Sequence, residues 1–453
     1  MRRGAAALIL GMVLLLLGRE ALAGPTPPPE PAPGRFDPRP IEWQLGAKDA
    51  VTVGLSASYW IRGEAREEGP ASWQILHRAR LGTRLRYRPL TLAVEIQDVR
   101  RWGSETSLRA TDPSLGLGRT YLELAGETGK AGGFVRIGRQ SMSYGSERLI
   151  GAAMWNPNTQ LLDGVRAHGE YGMLSLDVAG VLTAMPTRFE TDTNTIQTSG
   201  DWLGIAELGV HPHEAFALDA YLLTHDRGPT AETTGLHRTI VSPGARISGE
   251  PLPGLRYDIE AYLQRGRWDG RPHRAWAGAA SLRYQSKIGA TKLSMLAAYA
   301  LASGSTCTND PEQGSCDDGG VHRDFFAFFG SRHRYLGYAD MFIFTNVRDL
   351  QLGPELAVGK WAKAELHYHL LQLNNPRGAW IRPNGSLVGV GWDPSNQRRT
   401  VGHEIDLRLR FTPWWPLTIE PGYALFLPDG AGPSLLGSKA PIHFGYLLVA
   451  AAF

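Results

Sequence analysis

The sequence predicts an all-β fold: a single transmembrane antiparallel β-barrel of about 18 strands with short periplasmic turns and long extracellular loops. Three observations predict it. Apolar residues recur at every second position over nearly the whole chain. The segments that carry this alternation run about ten to fifteen residues, against the ~5–6 usual for soluble strands and close to the ~9–11 that cross a bilayer at a tilt. The connections alternate between tight turns and long polar loops, as they do in outer-membrane barrels.

The first 23 residues read as an export leader. Arg2 and Arg3 form a positive start, "AAALILGMVLLLL" is an apolar core of leader length, and Ala21–Ala23 is a small-residue cleavage site. The proline-rich run that follows reads as an extended periplasmic spacer over residues 24–48, and the barrel is expected over 49–453. Without the leader, 44 basic and 43 acidic residues remain, a balance that argues against a nucleic-acid partner. Beyond the leader no apolar run is long enough for a membrane-crossing helix.

The alternation is explicit in "HRARLGTRLRYR". There Ala79, Leu81, Leu85 and Tyr87 share one face, and Arg78, Arg80, Arg84 and Arg86 the other. "HEIDLRLRF" sets Ile405, Leu407, Leu409 and Phe411 against Glu404, Asp406, Arg408 and Arg410. "AKAELHYHLLQ" and "RYDIEAYLQ" repeat the pattern. Near the middle of the long final third, strands are expected at 340–350 and 354–373, with "LGP" as the turn between them. The last segment, "FGYLLVAAAF", places Leu447, Val449, Ala451 and Phe453 on one face; a terminal aromatic on such a strand is similar to the signal read by the outer-membrane assembly machinery. An even strand count puts both ends of the barrel on the periplasmic side.

No catalytic constellation stands out, and no cofactor is called for. The histidines are scattered and none lies near a serine in a nucleophile–base pattern. His367 and His369 share a face, which fits two polar lumen residues better than a metal pair. Cys307 and Cys316 sit in one long loop, where an oxidising compartment favours a local disulfide. The acidic run around them could hold calcium but reads first as a solvated loop tip.

Arginines carry the functional reading. Projected by alternation, Arg78, Arg80, Arg84, Arg86, Arg136, Arg166, Arg256, Arg283, Arg408 and Arg410 face the lumen, with Glu95, Asp177, Glu207, Asp258, Glu260, Glu365, Glu404, Asp406 and Glu420. Either these charges form a mutually neutralised ladder, or the arginines guide an anionic solute. The stretch "GRQSMSYGSERLIGAAMWNPNTQLLDGVR" (138–166) joins two strands by a loop that could fold inward and narrow the pore. Arg139, Arg148, Asp163 and Arg166 are expected to form a salt-bridged cluster facing the lumen.

This stretch resembles the signature of the alginate-export family of outer-membrane proteins. The matching positions are Gly138, Arg139, Gln140, Tyr144, Gly145, Arg148, Leu149, Ile150, Gly151, Trp155, Asn156, Asp163, Gly164, Val165 and Arg166. The chain departs from the pattern at Ser146, where the family tends to have aspartate, and at Gln160 and Leu161. The resemblance implies a monomeric barrel with an arginine-rich lumen, set in outer-membrane lipid and lipopolysaccharide, that passes an acidic polysaccharide or smaller anions. A periplasmic export scaffold is a further implied partner. The competing expectation is a structural or adhesive barrel with a plugged lumen and ligand-binding loops.

Overall fold

The computed structural model describes residues 40–46, 51–103, 115–184, 188–190, 196–198, 200–228, 237–306 and 320–453. The expected leader, most of the expected spacer, and both Cys307 and Cys316 lie outside the described residues. The strands are β1 (Ile41–Leu45), β2 (Val51–Glu67), β3 (Ala71–Tyr87), β4 (Leu90–Gly103), β5 (Leu115–Thr128), β6 (Ala131–Gln140), β7 (Leu162–Tyr171) and β8 (Leu174–Ala184). A two-stranded hairpin, β9 (Arg188–Glu190) and β10 (Ile196–Thr198), follows within the next loop. The wall resumes with β11 (Asp201–His213), β12 (Phe216–Arg227), β13 (Arg238–Leu252), β14 (Leu255–Trp268), β15 (Arg271–Ile288) and β16 (Thr291–Ala302). It ends with β17 (Val347–Val358), β18 (Ala362–Leu373), β19 (Thr400–Phe411), β20 (Leu417–Pro428) and β21 (Ile442–Ala452).

Each wall strand pairs antiparallel with the next, β8 pairs with β11, and β2 pairs with β21 to close the ring. The closed barrel therefore has 18 strands, β2–β8 and β11–β21. Closure leaves no strand edge in lipid, where an unpaired backbone group has no water to bond. The β2–β21 pairing covers only Ser58–Glu67 of β2, and β1 pairs with the rest of that edge, Ile41 opposite Leu55 and Leu45 opposite Val51. Residues 41–45, expected to be spacer, are thus a strand, because the free lower edge of β2 offers them a backbone partner.

A further difference from the sequence reading concerns the turn between β17 and β18. The strand passes straight through "LGP": Gly353 and Pro354 lie inside β17, and the turn falls at 359–361, where Gly359 has φ +54°. Gly-Pro reads as a turn because proline donates no hydrogen bond. Here Leu352 and Glu355 still meet Tyr368 and Glu365 on either side of the gap, so the register tolerates the missing donor.

The outward face is apolar. Leu81, Leu85, Leu122, Ile137, Leu263 and Met295 are all exposed. Aromatics band both ends: Trp73, Trp102, Trp202 and Trp276 toward the long loops, and Tyr87, Tyr171, Tyr284 and Phe453 toward the short turns. Two such girdles around an apolar band mark a membrane wall.

An apolar core lies inside the barrel. Loop segments 141–161, 303–306, 320–346 and 374–399, together with a short helix, α1 (Gly432–Leu436), fold into the extracellular half of the lumen. Ile150, Phe328, Phe342, Trp380 and Leu435 are at most 2% exposed there. The loops pair with each other: Gly151 donates to the Phe329 carbonyl at 3.0 Å, and Phe329 to that of Leu149 at 2.8 Å. Asn346 ties two more together, donating to Asn375 O and Ala379 O at 3.2 and 3.0 Å. Strands β15 and β16 accommodate this filling with small inward residues, Ala275, Ala277, Ala279, Ala300 and Ala302.

Glycines opposite inward aromatics set how close the loops come. A Cβ on Gly422 would stand 2.1 Å from the Tyr446 ring, which lies over that glycine, donates to Glu420 at 3.1 Å and meets Trp155 of loop 141–161 edge-on at 4.8 Å. Gly422→Ala is expected to displace Tyr446 and lower stability by about 1–3 kcal/mol. Denaturant unfolding in detergent micelles, followed by tryptophan fluorescence, would measure it.

Candidate functional site

Strand parity sends alternate residues inward, and the inward charges separate into two groups. On the β3–β8 side they pair across strands. Glu95 bonds Arg119 at 2.8 Å and meets Arg80 at 3.7 Å; Arg136 bonds Glu123 at 2.8 Å; Arg166 bonds Asp177 at 2.8 Å. Tyr144 and His168 also contact Asp177, at 2.5 and 3.2 Å. Most of these groups are buried: Arg78 is fully enclosed beside Trp60, and Arg80 touches Thr159 of loop 141–161. Arg84 lies nearer the periplasmic end of β3, half-buried.

On the other side a cavity of 1710 Å³ remains open. Its lining runs from Ser72, Arg101 and Asn384 at the extracellular end to Glu214, Glu250 and Arg256 beside the periplasmic turns. Loop 141–161 and residues 330–340 form one flank, and β2–β4 and β13–β21 line the rest. Along it stand Arg62, Arg66, Arg148, Arg246, Arg408 and Arg410, each beside a carboxylate. Arg246 bridges Asp219 and Asp258 at 3.0 and 2.6 Å.

One part of the cavity lining is built on Trp155. His333 stacks on its ring at 3.8 Å and 7°, and the Arg62 guanidinium covers it at 3.5 Å while donating to the Trp155 carbonyl at 2.7 Å. Cations over an indole face gain from the ring quadrupole. The Arg62 Nε also meets Glu64 at 2.6 Å.

Arg148 holds loop 141–161 to the wall. It pairs with Glu260 of β14 and lies 4.0 Å over the Tyr335 ring. Burial alone would lower its pKa, but the Glu260 carboxylate and the Tyr335 side chain outweigh that and the value is raised. Ser146 donates to both Glu260 oxygens, at 2.9 and 2.7 Å. An aspartate at this position would face that carboxylate as a like charge.

The expected four-residue cluster does not form. Arg139 and Asp163 are directly opposite on β6 and β7 and make a two-pronged pair at 2.7 Å, but they lie on the face that carries Ile137. They point outward at the extracellular rim because Arg136, Gln140, Gly164 and Arg166 take the inward positions. Arg148 and Arg166 do face in, each with a different partner. Asp406 is inside but not on the cavity: it accepts the Tyr338 amide at 3.1 Å, and Glu404 accepts that of Ala339 at 2.7 Å, so both anchor the segment 320–346. Of the residues expected to face the lumen, Arg148, Arg256, Arg283, Arg408 and Arg410 line the cavity, with Asp258, Glu260, Glu365 and Glu420 among the acids. Arg62, Arg66, Arg246, Trp155 and His333 line it without having been singled out for it; period-two alternation does place Arg62 and Arg246 inward. His367 and His369 turn to separate neighbours, Gln351 and Asp349, each at 3.0 Å.

The alginate export family model matches residues 57–431. The chain belongs to that family. No curated protein matches the sequence. Among solved structures it is similar to Pseudomonas aeruginosa OccK8 (OprE), with a TM-score of 0.57 and 9% identity over 88% of this chain and 98% of that one. It is also similar to P. aeruginosa OccK11 (OpdR), with a TM-score of 0.54 and 12% identity over 88% and 96%. P. aeruginosa OccK2 (OpdF), solved in complex with glucuronate, gives 0.53 and 9% over 88% and 98%. At such identities the likeness establishes the fold, and the family places this member in the outer membrane as a channel.

Arg148→Ala would leave Glu260 buried with Ser146 and Tyr262 as its hydrogen-bond partners among the described residues. Breaking a buried pair from one side costs about 3–5 kcal/mol. Hydrogen exchange across 141–161 is expected to rise sharply in this variant while the wall strands keep their protection.

Proposed function

We propose that this channel passes acidic saccharides, linear polyuronates of the alginate kind or their fragments, through the arginine-lined cavity beside loop 141–161. One observation carries the reading: the cavity touches both ends of the barrel and has guanidinium groups along its length, Arg66 near the extracellular end, Arg148 and Arg246 at the level of Glu260, and Arg408, Arg410 and Arg256 toward the periplasmic turns. Membership of the alginate export family supports the substrate class. The similar OccK2 structure holds a uronate.

Arginine suits this task because its planar fork matches a carboxylate on two points. The lining holds eleven cationic side chains against ten carboxylates, so the potential along it is only weakly positive. A passing uronate therefore exchanges with the resident carboxylates as partner to each guanidinium, rather than being drawn by a large net field. The exchange is stepwise: one bidentate contact opens as the next forms.

A plugged adhesive barrel would lack a cavity reaching from the long loops to the turns. The two readings divide on conductance. In planar bilayers the purified protein is expected to conduct with a modest anion preference and to be blocked by short uronate oligomers. Arg408→Gln with Arg410→Gln is expected to lower the anion-to-cation permeability ratio roughly twofold or more. Arg139→Ala, on the outward face, should leave that ratio unchanged. No conductance, a cation preference, or equal effects of the inward and outward variants would overturn the proposal.

A further inference from the structure

We propose that the outward face of β13–β15 at the extracellular rim is a binding site for the phosphorylated headgroup of lipopolysaccharide. The site is a lateral row of arginines. Arg265 on β14 stands directly opposite Arg274 on β15, a like-charge pair at neighbouring-strand distance. Beyond the end of β16, the segment around His322 takes over the free edge of β15: His322 donates to the Pro272 carbonyl and Arg274 donates to that of His322, both at 2.9 Å. The bridge sets His322 beside His273 with its side chain buried, so Arg323 falls next to Arg274 on the outward face and is exposed. Arg267 lies one outward position above Arg265 and is also exposed.

The level of the row identifies its surroundings. The next outward positions below it are Leu263 and Trp276, themselves opposite one another and exposed. Trp276 belongs to the extracellular aromatic girdle, so the arginines begin where the apolar band ends. That is the depth of the outer-leaflet headgroups, where a charged side chain on a barrel wall is nearly free of desolvation cost.

The row differs from other charges at the same rim. Arg100 has Asp98 at 3.0 Å, Arg139 has Asp163 at 2.7 Å and His237 has Asp226 at 3.0 Å. Among the described residues, no carboxylate forms an ion pair with Arg265, Arg267, Arg274 or Arg323; Arg265 donates instead to the neighbouring Gln264 carbonyl at 3.0 Å. Four such guanidiniums at adjoining positions repel one another unless a multivalent anion joins them. Phosphate monoesters have the charge and the oxygen geometry for bidentate contact with more than one arginine. In the outer leaflet, the phosphorylated glucosamines of lipopolysaccharide bring two such groups together with acyl chains that Leu263 and Trp276 can pack against.

Native mass spectrometry of the full-length protein in detergent tests this, with bisphosphorylated lipid A as the probe. A phosphate-free lipid A and inorganic phosphate serve as the other two arms. Wild type is expected to retain bisphosphorylated lipid A at least about tenfold more tightly than the phosphate-free form, with affinity falling as salt rises. Arg265→Gln, Arg267→Gln, Arg274→Gln and Arg323→Gln combined should abolish the difference, whereas Arg100→Gln should retain it. Heat-modifiable migration of the combined variant on gels reports that the barrel is still folded, and the lysine equivalents should restore part of the binding if it is not. Equal binding of the two lipids to wild type overturns the proposal, as does an undiminished difference in the combined variant. Full displacement of lipid A by millimolar inorganic phosphate would likewise overturn it in favour of a free-phosphate site.

Discussion

The hydrogen-bonded seam between β2 and β21 is the contact on which the rest of this molecule depends. In the bilayer every backbone donor and acceptor must be satisfied by the protein, and a sheet achieves that only by meeting itself. Once Ser58 pairs with Ala452 and Glu67 with His443, parity is fixed around the whole circumference, because neighbouring strands are locked in register. A one-residue slip would turn Arg62 out and Ile61 in. The lipid face, the lumen charges and the rim arginines are all consequences of that single phase. β1 extends the protection to the lower half of β2, where the last strand has already ended.

A ring of 18 strands encloses more space than side chains can fill, as in porins that leave an aqueous channel. Here the chain fills much of it with its own loops, and the interior becomes a protein core with water along one side. That explains two features that would otherwise conflict. Apolar residues such as Phe328, Phe342 and Trp380 are buried inside a membrane barrel, and the β15–β16 wall is rich in inward alanine where those loops pack. Charged residues then serve at the boundary between the two regimes. Arg148 with Glu260, and the loop amides on Asp406 and Glu404, fasten the apolar insert to a polar wall. Each such tie is costly to break from one side because it is buried and would leave its partner without a counterpart.

The class of fold was legible in the sequence because it rests on a local, repeated signal. Leu81 against Arg80 is visible in any two neighbouring letters, and strand parity follows from it. What sequence left unreadable depends on contacts between distant segments. Arg139 and Asp163 share a motif with Arg148 and Arg166, and nearness in the chain made one cluster the natural expectation. The flip from inward Arg136 to outward Arg139 is a difference of odd and even positions that the motif itself conceals. Alternation puts Asp406 on the inward face, yet whether an inward carboxylate meets solvent or a loop amide is decided by a residue 68 positions away. The "LGP" stretch failed for another reason: a proline's missing donor is a local turn signal, but two flanking strands in register can carry a gap of one bond.

On the proposed reading, the near balance of charge along the cavity is what allows passage. A wall of unpaired guanidiniums would attract a polyanion strongly and release it slowly, since conduction needs sites that are attractive enough to enter and weak enough to leave. Resident carboxylates such as Glu365 beside Arg408 and Glu420 beside Arg410 compete with the solute at each step and lower the depth of every well. A polymer gains from this more than a small ion does, because many shallow contacts made at once still hold its course while any single one can open. The outward row at Arg265, Arg274 and Arg323 shows the opposite arrangement: no competing carboxylate is paired with it among the described residues. An anion that meets that row is retained rather than passed, which is the behaviour expected of an anchor in the leaflet and not of a pore.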